Sequence, residues 1–528
     1  MWIATLANWP LWRALAALPE TASTRGLLFG LGFAALIAAV LTGLLALLAW
    51  RWSIKTVLAF VLLSAAVAAH YMGTYGVVLD PTMMQNVVQT DARELRDLLS
   101  WRLVAGVVVL AGLPMLVLWQ APLQRRGVFG QAGRNAAALL ACAVLAAALV
   151  FVLFADLSAT MRNHKSLRYM INPLNAYFSL GVVARQHNAA SGAPLLPIGL
   201  DAKPLARAPG ARPPLLLLVI GETARADHFA LNGYSRATNP ELAPLDVLSF
   251  ANVTACGTNT AASLPCMFSH LGRAAFEQRD GEQENLLDLL QRAGLAVLWL
   301  DNQSGCKGLC ERVPNARASV AAAGGSAPPG TLCDEGECLD GALLHGLSER
   351  LADLPAARRE RGAVLVLHMM GSHGPAYYKR SPPERKPFMP ECTTNVLQQC
   401  EAQQLINAYD NSIAYTDHVL AAAIAWLQAQ AAGYDPALLY VSDHGESLGE
   451  NNLYLHGLPY ALAPMAQKHV PMLLWLPAQA GLEPGCLRAQ REVALTHDNL
   501  FHTVLGLLSV RASEYRPGLD ALAPCRLR

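Results

Sequence analysis

Charged residues are scarce in this sequence, at 15% of 528 residues. The 40 basic and 39 acidic residues leave a net charge of +1, and no basic run or basic–aromatic motif indicates a nucleic-acid partner. Internal repeats are lacking, and we expect no cleavable signal peptide because the N-terminal region does not have that pattern. Hydrophobic residues are abundant instead, at 53%, and this excess predicts membrane-spanning segments.

Long apolar runs are concentrated in the first third of the chain, where they predict an α-helical transmembrane domain over residues 1–156. Each run has roughly 20 residues, which is enough to cross a bilayer. Four spans are expected, at about 26–48, 55–75, 102–119 and 136–155. Basic residues mark the first and third connections as cytoplasmic: Arg51, Lys55, Arg125, Arg126 and Arg134. The N-terminus, residues 76–101 and the chain beyond 156 are then expected on the outer side.

Two further regions follow the last span. Residues 157–188 mix basic and apolar side chains, which is typical of an interfacial amphipathic helix. Residues 189–213 are rich in Ala, Pro and Gly and predict a linker, so that 157–213 separates the membrane part from the rest.

Residues 214–528 alternate short apolar runs with helical stretches, which predicts an α/β/α sandwich as a separate domain. The helical spacing over 402–428 carries YDNSIAYTD, interpreted as core packing, and 317–330 is expected to be a surface loop. The expected strands are 215–220, 247–253, 295–300, 363–368, 437–442 and 470–475.

Two of these strands end in residues that bind metals. The run VSDHGESLGENNLYLHG (441–457) places Asp443 and His444 after one strand, and LLLLVIGETAR (215–225) places Glu222 after another. Because ligands gather at the carboxyl edge of parallel strands, the three side chains predict a zinc site with an open position. The alternative for Glu222 is that it caps a following helix.

A nucleophile for the open position is offered by CGTNTAASLPCMFS (256–269), where Thr258 and Thr260 open a probable helix. A helix N-terminus favours anions, and a metal can lower the pKa of a hydroxyl enough for attack at neutral pH. The alternative is that either threonine is only the helix N-cap.

Together these motifs resemble the phosphoethanolamine transferases of the alkaline phosphatase superfamily, closest to the lipid A-modifying EptA-type enzymes. The resemblance covers nearly the whole chain and includes, in family order, GETAR, CGTxTAxSxPCMFS, DNQSGCKG, HMMGSHGPAYY, YDNSIAYTD and SDHGESLGENNLYLHG. It implies that Thr260 is the nucleophile and that one tightly bound Zn²⁺, with a second possible, is the cofactor. The implied zinc ligands are Glu222, Thr260, Asp443 and His444.

The resemblance also assigns substrate contacts. His373 and His456 fall on positions for the substrate phosphate or a second metal, and Ser304 and Lys307 on positions near the bound phosphoethanolamine. His373, His456 and Lys307 are expected to stabilise the phosphoryl charge or to protonate the leaving oxygen.

The outer segment 76–101 provides a second group of polar side chains. Asn86, Thr90 and Glu94 recur at i, i+4 and i+8, which would present them on one helix face. The family positions contact the ethanolamine headgroup, for which an amide, a hydroxyl and a carboxylate are suitable partners. The alternative is a solvated helix face.

Cysteines indicate an oxidising compartment for the outer domain, because ten of the eleven lie after the last span and Cys142 lies within it. Several spacings match those of the family, and a zinc ribbon is the rival interpretation. The expected disulfides are Cys256–Cys266, Cys306–Cys310, Cys333–Cys338 and Cys392–Cys400, with Cys486–Cys525 as the remaining pair.

The implied reaction takes phosphoethanolamine from phosphatidylethanolamine onto Thr260 and then to a lipid A phosphate, giving resistance to polymyxin and other cationic peptides. The implied setting is a monomeric, multi-pass protein of the bacterial inner membrane with a periplasmic catalytic domain. The alternatives are another acceptor (core heptose, Kdo or glucan), a phosphoglycerol transferase or sulfatase, and a non-enzyme membrane receptor with a degenerate domain. Thr260 disfavours a sulfatase, because threonine cannot become formylglycine, and the filled metal positions disfavour a receptor. The family has five spans, so residues 1–12 are interpreted as the tail of its first helix.

Overall fold

A computed structural model of the chain describes residues 1–124, 126–192, 194–318, 333–334, 337–477 and 481–526. The chain forms two compact units, one made of Met1–Gln85 and Leu99–Gln186, the other of Asn86–Leu98 and His187–Arg528. Residues 86–98, which we assigned to the transmembrane domain, therefore group with the second unit. The surface loop predicted at 317–330 lies outside the described residues from 319 onward.

The first unit is helical. Among the described residues, four helical stretches are long and apolar enough to span a membrane: Thr24–Leu47, Ile54–Tyr75, Trp101–Gln120 and Val128–Asn163. They agree with the four predicted spans to within a few residues at most ends, and the fourth is longer at both ends. The helices in order are α1 (Trp2–Thr5), α2 (Trp9–Ala16), α3 (Thr24–Leu47), α4 (Ile54–Tyr75), α5 (Pro81–Gln89), α6 (Ala92–Leu98), α7 (Trp101–Val107), α8 (Leu113–Gln120), α9 (Val128–Asn163), α10 (Lys165–Tyr169) and α11 (Leu174–Gly192).

Helices α3 and α9 pack closely along the first unit. A Cβ on Gly32 would lie 2.8 Å from Leu153 Cδ1, so the small residue allows this approach. Arg25 and Asp156 form an ion pair of 2.8 Å between the same two helices. Cys142, within α9, is a free thiol as expected.

The interfacial helix predicted over 157–188 is not a single element. Helix α9 runs on to Asn163, and α10 and α11 follow it with a break at Asn172–Pro173. Proline lacks the N–H that a helix interior needs. Asn172 is buried at this break, where its side chain donates to the carbonyls of Ala7 and Ala65 at 2.8 and 2.7 Å.

The second unit contains an eight-stranded sheet in the order β13-β3-β12-β9-β2-β8-β4-β5. All six predicted strands are present, and β12 alone among them runs antiparallel to its neighbours. The strands are β1 (Lys203–Pro204), β2 (Pro214–Gly221), β3 (Leu248–Thr254), β4 (Ala296–Asp301), β5 (Asn315–Arg317), β6 (Cys333–Asp334), β7 (Glu337–Cys338), β8 (Ala363–His368), β9 (Asp435–Ser442), β10 (Ser447–Leu448), β11 (Tyr454–Leu455), β12 (His469–Trp475), β13 (Leu495–Thr496) and β14 (Val510–Arg511).

Helices cover the sheet and complete the α/β/α sandwich predicted from the sequence. Leu216, Leu218 and Ile220 of β2 join one buried cluster with residues of α12, α14 and α19, while the long α17 packs against β9. The helices are α12 (Thr260–Met267), α13 (Arg273–Glu277), α14 (Leu286–Arg292), α15 (Leu347–Asp353), α16 (Ala356–Arg359), α17 (Ala402–Gln430), α18 (Pro484–Ala489) and α19 (Asp498–Leu507). All five expected disulfides are present: Cys256–Cys266, Cys306–Cys310, Cys333–Cys338, Cys392–Cys400 and Cys486–Cys525.

Candidate functional site

The register of β2 and β9 brings the two strand ends together. The strands are parallel neighbours with Gly221 opposite Ser442, so the residues that follow leave the sheet at the same edge. The Asp443 amide donates to the Gly221 carbonyl at 3.0 Å. Glu222, Asp443 and His444 consequently lie side by side, and all three are fully buried.

These three side chains form a cluster with the donor set of a metal site, since one ligand atom from each lies within 4.8 Å of the others. His444 Nε2 is 3.2 Å from Glu222 Oε1 and 3.4 Å from Asp443 Oδ2. His444 Nδ1 is 2.9 Å from the Gly445 carbonyl oxygen, so Nδ1 carries the proton and Nε2 presents a lone pair to the two oxygens. Neither of those oxygens accepts a hydrogen bond from any described residue.

Three lone pairs that face one another in a buried space require a cation between them. A proton on His444 Nε2 can also supply this positive charge. The negative charges of Asp443 and Glu222 outweigh the opposing effect of burial and raise the pKa of His444 to about 10. Burial and the adjacent Glu222 raise the pKa of Asp443 to about 6. A nitrogen and two carboxylate oxygens fit zinc, which satisfies this demand without a proton.

Thr260 is the first residue of α12, and its hydroxyl points at this cluster. Oγ1 donates to Glu222 Oε2 at 3.0 Å and lies 3.4 Å from His444 Nε2. The N-cap of α12 is Asn259, whose side chain accepts from the Ala262 amide at 2.9 Å. The interpretation of Thr260 as a mere cap is therefore wrong.

The alternative interpretations of Thr258 and Glu222 as helix caps are also wrong. Thr258 is not the cap either, since its hydroxyl donates to the Leu458 carbonyl at 2.6 Å and holds a loop. Glu222 does not cap a helix, because its Oε2 accepts from Thr260 and from Gln303 Nε2 at 3.2 Å.

The loop after β2, which carries Glu222, is held by the loop around Gly371 on one side and by α17 on the other. Gly371, at φ 53°, lies so close to Glu222 that a Cβ would be 2.6 Å from the Glu222 carbonyl oxygen. From the other side, α17 contributes Ser412, which donates to Ser372 Oγ at 2.8 Å, and Tyr409, which donates to the Thr223 carbonyl at 2.7 Å. The YDNSIAYTD motif thus packs in the core, as expected, and also fixes these loops.

His373 and His456 lie at the same site. The His456 ring centroid is 4.4 Å from that of His444 and 5.4 Å from that of His373. His456 Nδ1 is 2.9 Å from Glu446 Oε2, while Glu446 Oε1 accepts from the Tyr377 hydroxyl at 2.8 Å. Burial, together with the neighbouring His456 for His373 and His444 for His456, lowers the pKa of both rings well below the ordinary value. Both imidazoles are neutral at pH 7.

The 76–101 segment is not one helix at its polar end. Helix α5 ends at Gln89, and α6 begins at Ala92 after Asp91, whose carboxylate accepts from the Glu94 amide at 3.0 Å. The prediction that Asn86, Thr90 and Glu94 share one helix face is therefore wrong, because this cap starts a new helix. Thr90 Oγ1 instead donates back to the Asn86 carbonyl at 2.9 Å.

Of these three residues, Glu94 is the one that contacts the described residues of the site. Its Oε1 accepts from Gln303 Nε2 at 3.1 Å and lies 3.9 Å from His373 Nε2. Ser304 and Lys307 follow in the same loop as Gln303. Lys307 Nζ donates to Ser304 Oγ at 2.8 Å and to the Gln89 carbonyl at 3.3 Å, which joins the DNQSGCKG loop to the end of α5.

An ion cluster around the buried Asp97 and Arg380, with the exposed Lys379, anchors α6 to the rest of the second unit. Asp97 pairs with Lys379 Nζ at 2.5 Å and with the Arg380 guanidinium at 2.9 Å, and its carbonyl accepts from Asn395 at 2.8 Å. Arg380 Nε also donates to the His373 carbonyl at 2.9 Å. Glu94 and Asp97, one turn apart on α6, are thus connected to the same active-site loop.

Sequence reasoning missed Gln303, Glu446 and Asp97. The first two stand inside quoted motifs, DNQSGCKG and SDHGESLG, and Gln303 follows the strand β4, so the strand-end rule used for Glu222 could have found it. Asp97 had no such signal, because its partners lie at least 282 residues away in the chain.

Comparison with known proteins gives the family. A family model described as Phosphoethanolamine transferase EptA/EptB matches residues 37–188, and one described as Sulfatase matches 214–510. Phosphoethanolamine transferase EptA of Salmonella typhimurium is 38% identical over 517 residues, covering 96% of this chain and 91% of that protein. Phosphatidylethanolamine transferase Mcr-1 of Escherichia coli is 39% identical over 503 residues, covering 92% and 90%.

A solved structure resembles the whole chain. The integral membrane protein lipooligosaccharide phosphoethanolamine transferase A from Neisseria meningitidis superposes with a TM-score of 0.91 at 33% identity, covering 100% of this chain and 99% of that one. The soluble domain of the same enzyme matches at 40% identity and a TM-score of 0.59, covering 64% of this chain and 100% of that one. The chain therefore belongs to the phosphoethanolamine transferase family.

Proposed function

We propose that this protein transfers phosphoethanolamine from phosphatidylethanolamine to a phosphate of lipid A, with Thr260 as the nucleophile. The observation that carries the proposal is the position of the Thr260 hydroxyl, 3.0 Å from Glu222 Oε2 and beside the cluster of buried metal-binding side chains. The names of the relatives, all phosphoethanolamine or phosphatidylethanolamine transferases, support the transferred group and the donor.

Glu222, Asp443 and His444, together with Thr260, would hold the zinc ion. Bound there, zinc supplies Lewis acidity that lowers the pKa of the hydroxyl and offsets phosphoryl charge. We expect one tightly bound ion, and His373 with His456 are the candidates for a second.

The residues of the chain then divide the reaction into two transfers. Thr260 Oγ1 forms a bond to the headgroup phosphorus, the bond from phosphorus to the diacylglycerol oxygen breaks, and phosphoethanolamine remains on Thr260. Thr260 Oγ1 gives up its proton in this step, and we propose that the neutral imidazoles of His373 and His456 accept this proton and pass it to the leaving diacylglycerol oxygen. An oxygen of the acceptor phosphate next attacks the same phosphorus, and Thr260 regains its hydroxyl.

The donor headgroup is recognised on the Glu94 side of the site. A buried carboxylate is a suitable partner for the ammonium group, and Asn86 and Thr90 lie just before it in the chain. Lys307 and Ser304 contact each other at 2.8 Å in the adjoining loop and offer a cation and a hydroxyl to the phosphoryl oxygens.

The proposed setting is the bacterial inner membrane, crossed by the four apolar helices, with the second unit in the periplasm. We propose a monomer as the active form. Adding an ammonium group to lipid A weakens the attraction of cationic peptides, so we expect resistance to polymyxin.

Mass spectrometry of lipid A from cells that express the protein or its Thr260→Ala variant tests the proposal, with diacylglycerol release measured on the purified proteins. We expect a phosphoethanolamine mass shift and diacylglycerol release with the native protein only. Turnover by Thr260→Ala would contradict the assignment of the nucleophile. Diacylglycerol release without a shift on lipid A would move the acceptor to another envelope glycan such as core heptose, Kdo or glucan. Transfer of phosphoglycerol in place of phosphoethanolamine would contradict the donor.

A further inference from the structure

Gln303 lies between two carboxylates that the proposed function places at opposite ends of the donor headgroup. It is buried just after β4, and its Nε2 is 3.2 Å from Glu222 Oε2 and 3.1 Å from Glu94 Oε1. Its Oε1 accepts hydrogen bonds from the amide and the hydroxyl of Ser304, the latter at 2.6 Å. Because the oxygen of the side-chain amide is fixed by Ser304, both N–H groups are directed at the carboxylates.

On the nucleophile side, Gln303 shares an acceptor with Thr260. Glu222 Oε2 receives the Thr260 hydroxyl at 3.0 Å as well as the Gln303 amide, and Glu222 Oε1 is left to face His444 Nε2 at 3.2 Å. Gln303 thus helps to fix which carboxylate oxygen serves the nucleophile and which faces the metal-binding cluster.

On the headgroup side, Gln303 donates a hydrogen bond to the Glu94 carboxylate, which also has a side-chain hydrogen bond with Ser304. His373 Nε2 is farther from Glu94 Oε1, at 3.9 Å. Asp97, through its ion pairs with Arg380 and Lys379, holds the C-terminal end of α6 and does not hold the Glu94 carboxylate itself. Two buried carboxylates repel each other, and a neutral amide with two donors can hold both without adding charge.

We propose that Gln303 is a positioning residue that sets the spacing between the Thr260–Glu222 pair and the Glu94 carboxylate, and so selects donors that carry a primary ammonium on a short headgroup. The inference rests on the proposed function. A chain of three hydrogen bonds runs from Thr260 Oγ1 through Glu222 and Gln303 to Glu94. Without the amide, Glu94 loses one of the hydrogen bonds that fix its orientation, and an ammonium with fewer N–H donors is then discriminated against less strongly.

The experiment uses the full-length protein in mixed micelles with phosphatidylethanolamine or phosphatidyl-N,N-dimethylethanolamine as donor, and measures diacylglycerol release. Gln303→Met keeps the side-chain volume but removes the amide. We expect kcat/KM for phosphatidylethanolamine to fall about 10- to 100-fold. The preference for that donor over the dimethylated one should fall about tenfold, with zinc content unchanged.

Gln404→Met is the matched control. The side-chain oxygen of Gln404 accepts from the backbone N–H of Glu401 and forms part of the N-terminal cap of α17. It should leave the donor preference unchanged. Glu94→Gln and the Gln303→Met/Glu94→Gln double variant complete a cycle. If Gln303 acts through Glu94, the double variant should lose donor preference no further than the worse single variant.

Three results would overturn the inference while leaving the proposed function in place, provided that the native protein releases diacylglycerol. These are an unchanged donor preference in Gln303→Met, loss of zinc together with activity in that variant, or full additivity in the cycle. If the native protein releases no diacylglycerol from phosphatidylethanolamine, the proposed function fails and the inference falls with it.

Discussion

The two ends of the candidate site are built in different ways. At the metal-binding end, Glu222, Asp443 and His444 follow directly from adjacent parallel strands, and the register of the sheet sets their positions. At the headgroup end, Glu94 stands on a two-turn helix that is held by hydrogen bonds and ion pairs to residues more than 200 positions away. The first end is fixed by the sheet, and the second depends on a few side chains.

Because the two ends are held in place differently, changes at each end should affect different steps of the reaction. Alterations at the sheet edge should remove the metal and the chemistry together. Alterations around α6 should change donor binding and leave the metal in place.

The largest effect is expected from His444→Ala, which deletes the single nitrogen of the metal-binding cluster. We expect loss of bound zinc and a fall in kcat/KM of at least about 10²–10³-fold, the scale on which a group that stabilises charge at the reacting centre acts. Zinc analysis by inductively coupled plasma mass spectrometry and diacylglycerol release measure the two effects. Chelation of the native protein should reproduce them and zinc should reverse them; an active His444→Ala protein with full zinc would break the comparison.

Gly371→Ala should act at the same end without touching a ligand. The added methyl group would lie within 3 Å of the Glu222 backbone nitrogen and carbonyl oxygen, so Glu222 must shift. We expect zinc affinity and activity to fall about 10- to 100-fold, as for other changes just outside a metal's ligands.

Gly281→Ala is the control for this prediction. Gly281 also has a positive φ, of 99°, but nothing lies within 4 Å of an added Cβ. It should cost about 1 kcal/mol of folding free energy and leave zinc affinity unchanged. Equal zinc affinities in the two variants would show that backbone strain, and not the displacement of Glu222, explains any loss.

The same difference explains how much could be predicted from the sequence. Apolar runs of strand length identified β2, β4, β8, β9 and the position of the metal-binding cluster, because the residue after a strand inherits its place from the sheet. The break between α5 and α6 was missed, since helical spacing continues through Thr90 and only the cap by Asp91 interrupts it. The contacts of Asp97 could not be predicted, because no local pattern names partners so distant.

Asp97→Asn should loosen α6 and weaken donor binding. Removing one charge from a buried ion cluster is expected to cost about 3 kcal/mol of folding free energy. Because the end of α6 is released, we expect KM for phosphatidylethanolamine to rise about tenfold with zinc content unchanged. Thermal unfolding and initial rates measure the two effects.

Asp288→Asn is the matched control. Asp288 is also buried, and it accepts two hydrogen bonds of 2.7 Å from Arg312 and one of 2.9 Å from the Asn285 amide. It should lower the unfolding temperature with KM unchanged. A rise in KM in both variants would mean that general destabilisation, and not the release of α6, weakens donor binding.

The smallest effect concerns the protonation of Glu94. Burial raises the pKa of this carboxyl, with Lys307 opposing in part. As pH falls, Glu94 is therefore neutralised earlier than an exposed carboxylate, and KM for phosphatidylethanolamine should rise in mildly acidic buffer. Glu94→Gln, which cannot titrate, should have a KM about tenfold higher that does not respond to this protonation.

The folding stability of the protein should fall as pH rises, over the range in which donor binding improves. Between its unfolded and its raised folded pKa, Glu94 holds more proton in the folded state, so its contribution to the unfolding free energy is present at low pH and is lost as pH rises through the folded pKa. The native protein should thus lose stability relative to Glu94→Gln over the pH range in which its donor binding improves. Parallel pH series of KM and unfolding temperature measure both slopes. KM and the unfolding temperature relative to Glu94→Gln should therefore both fall as pH rises. Slopes of opposite sign would show that Glu94 is not the group that links donor binding to pH.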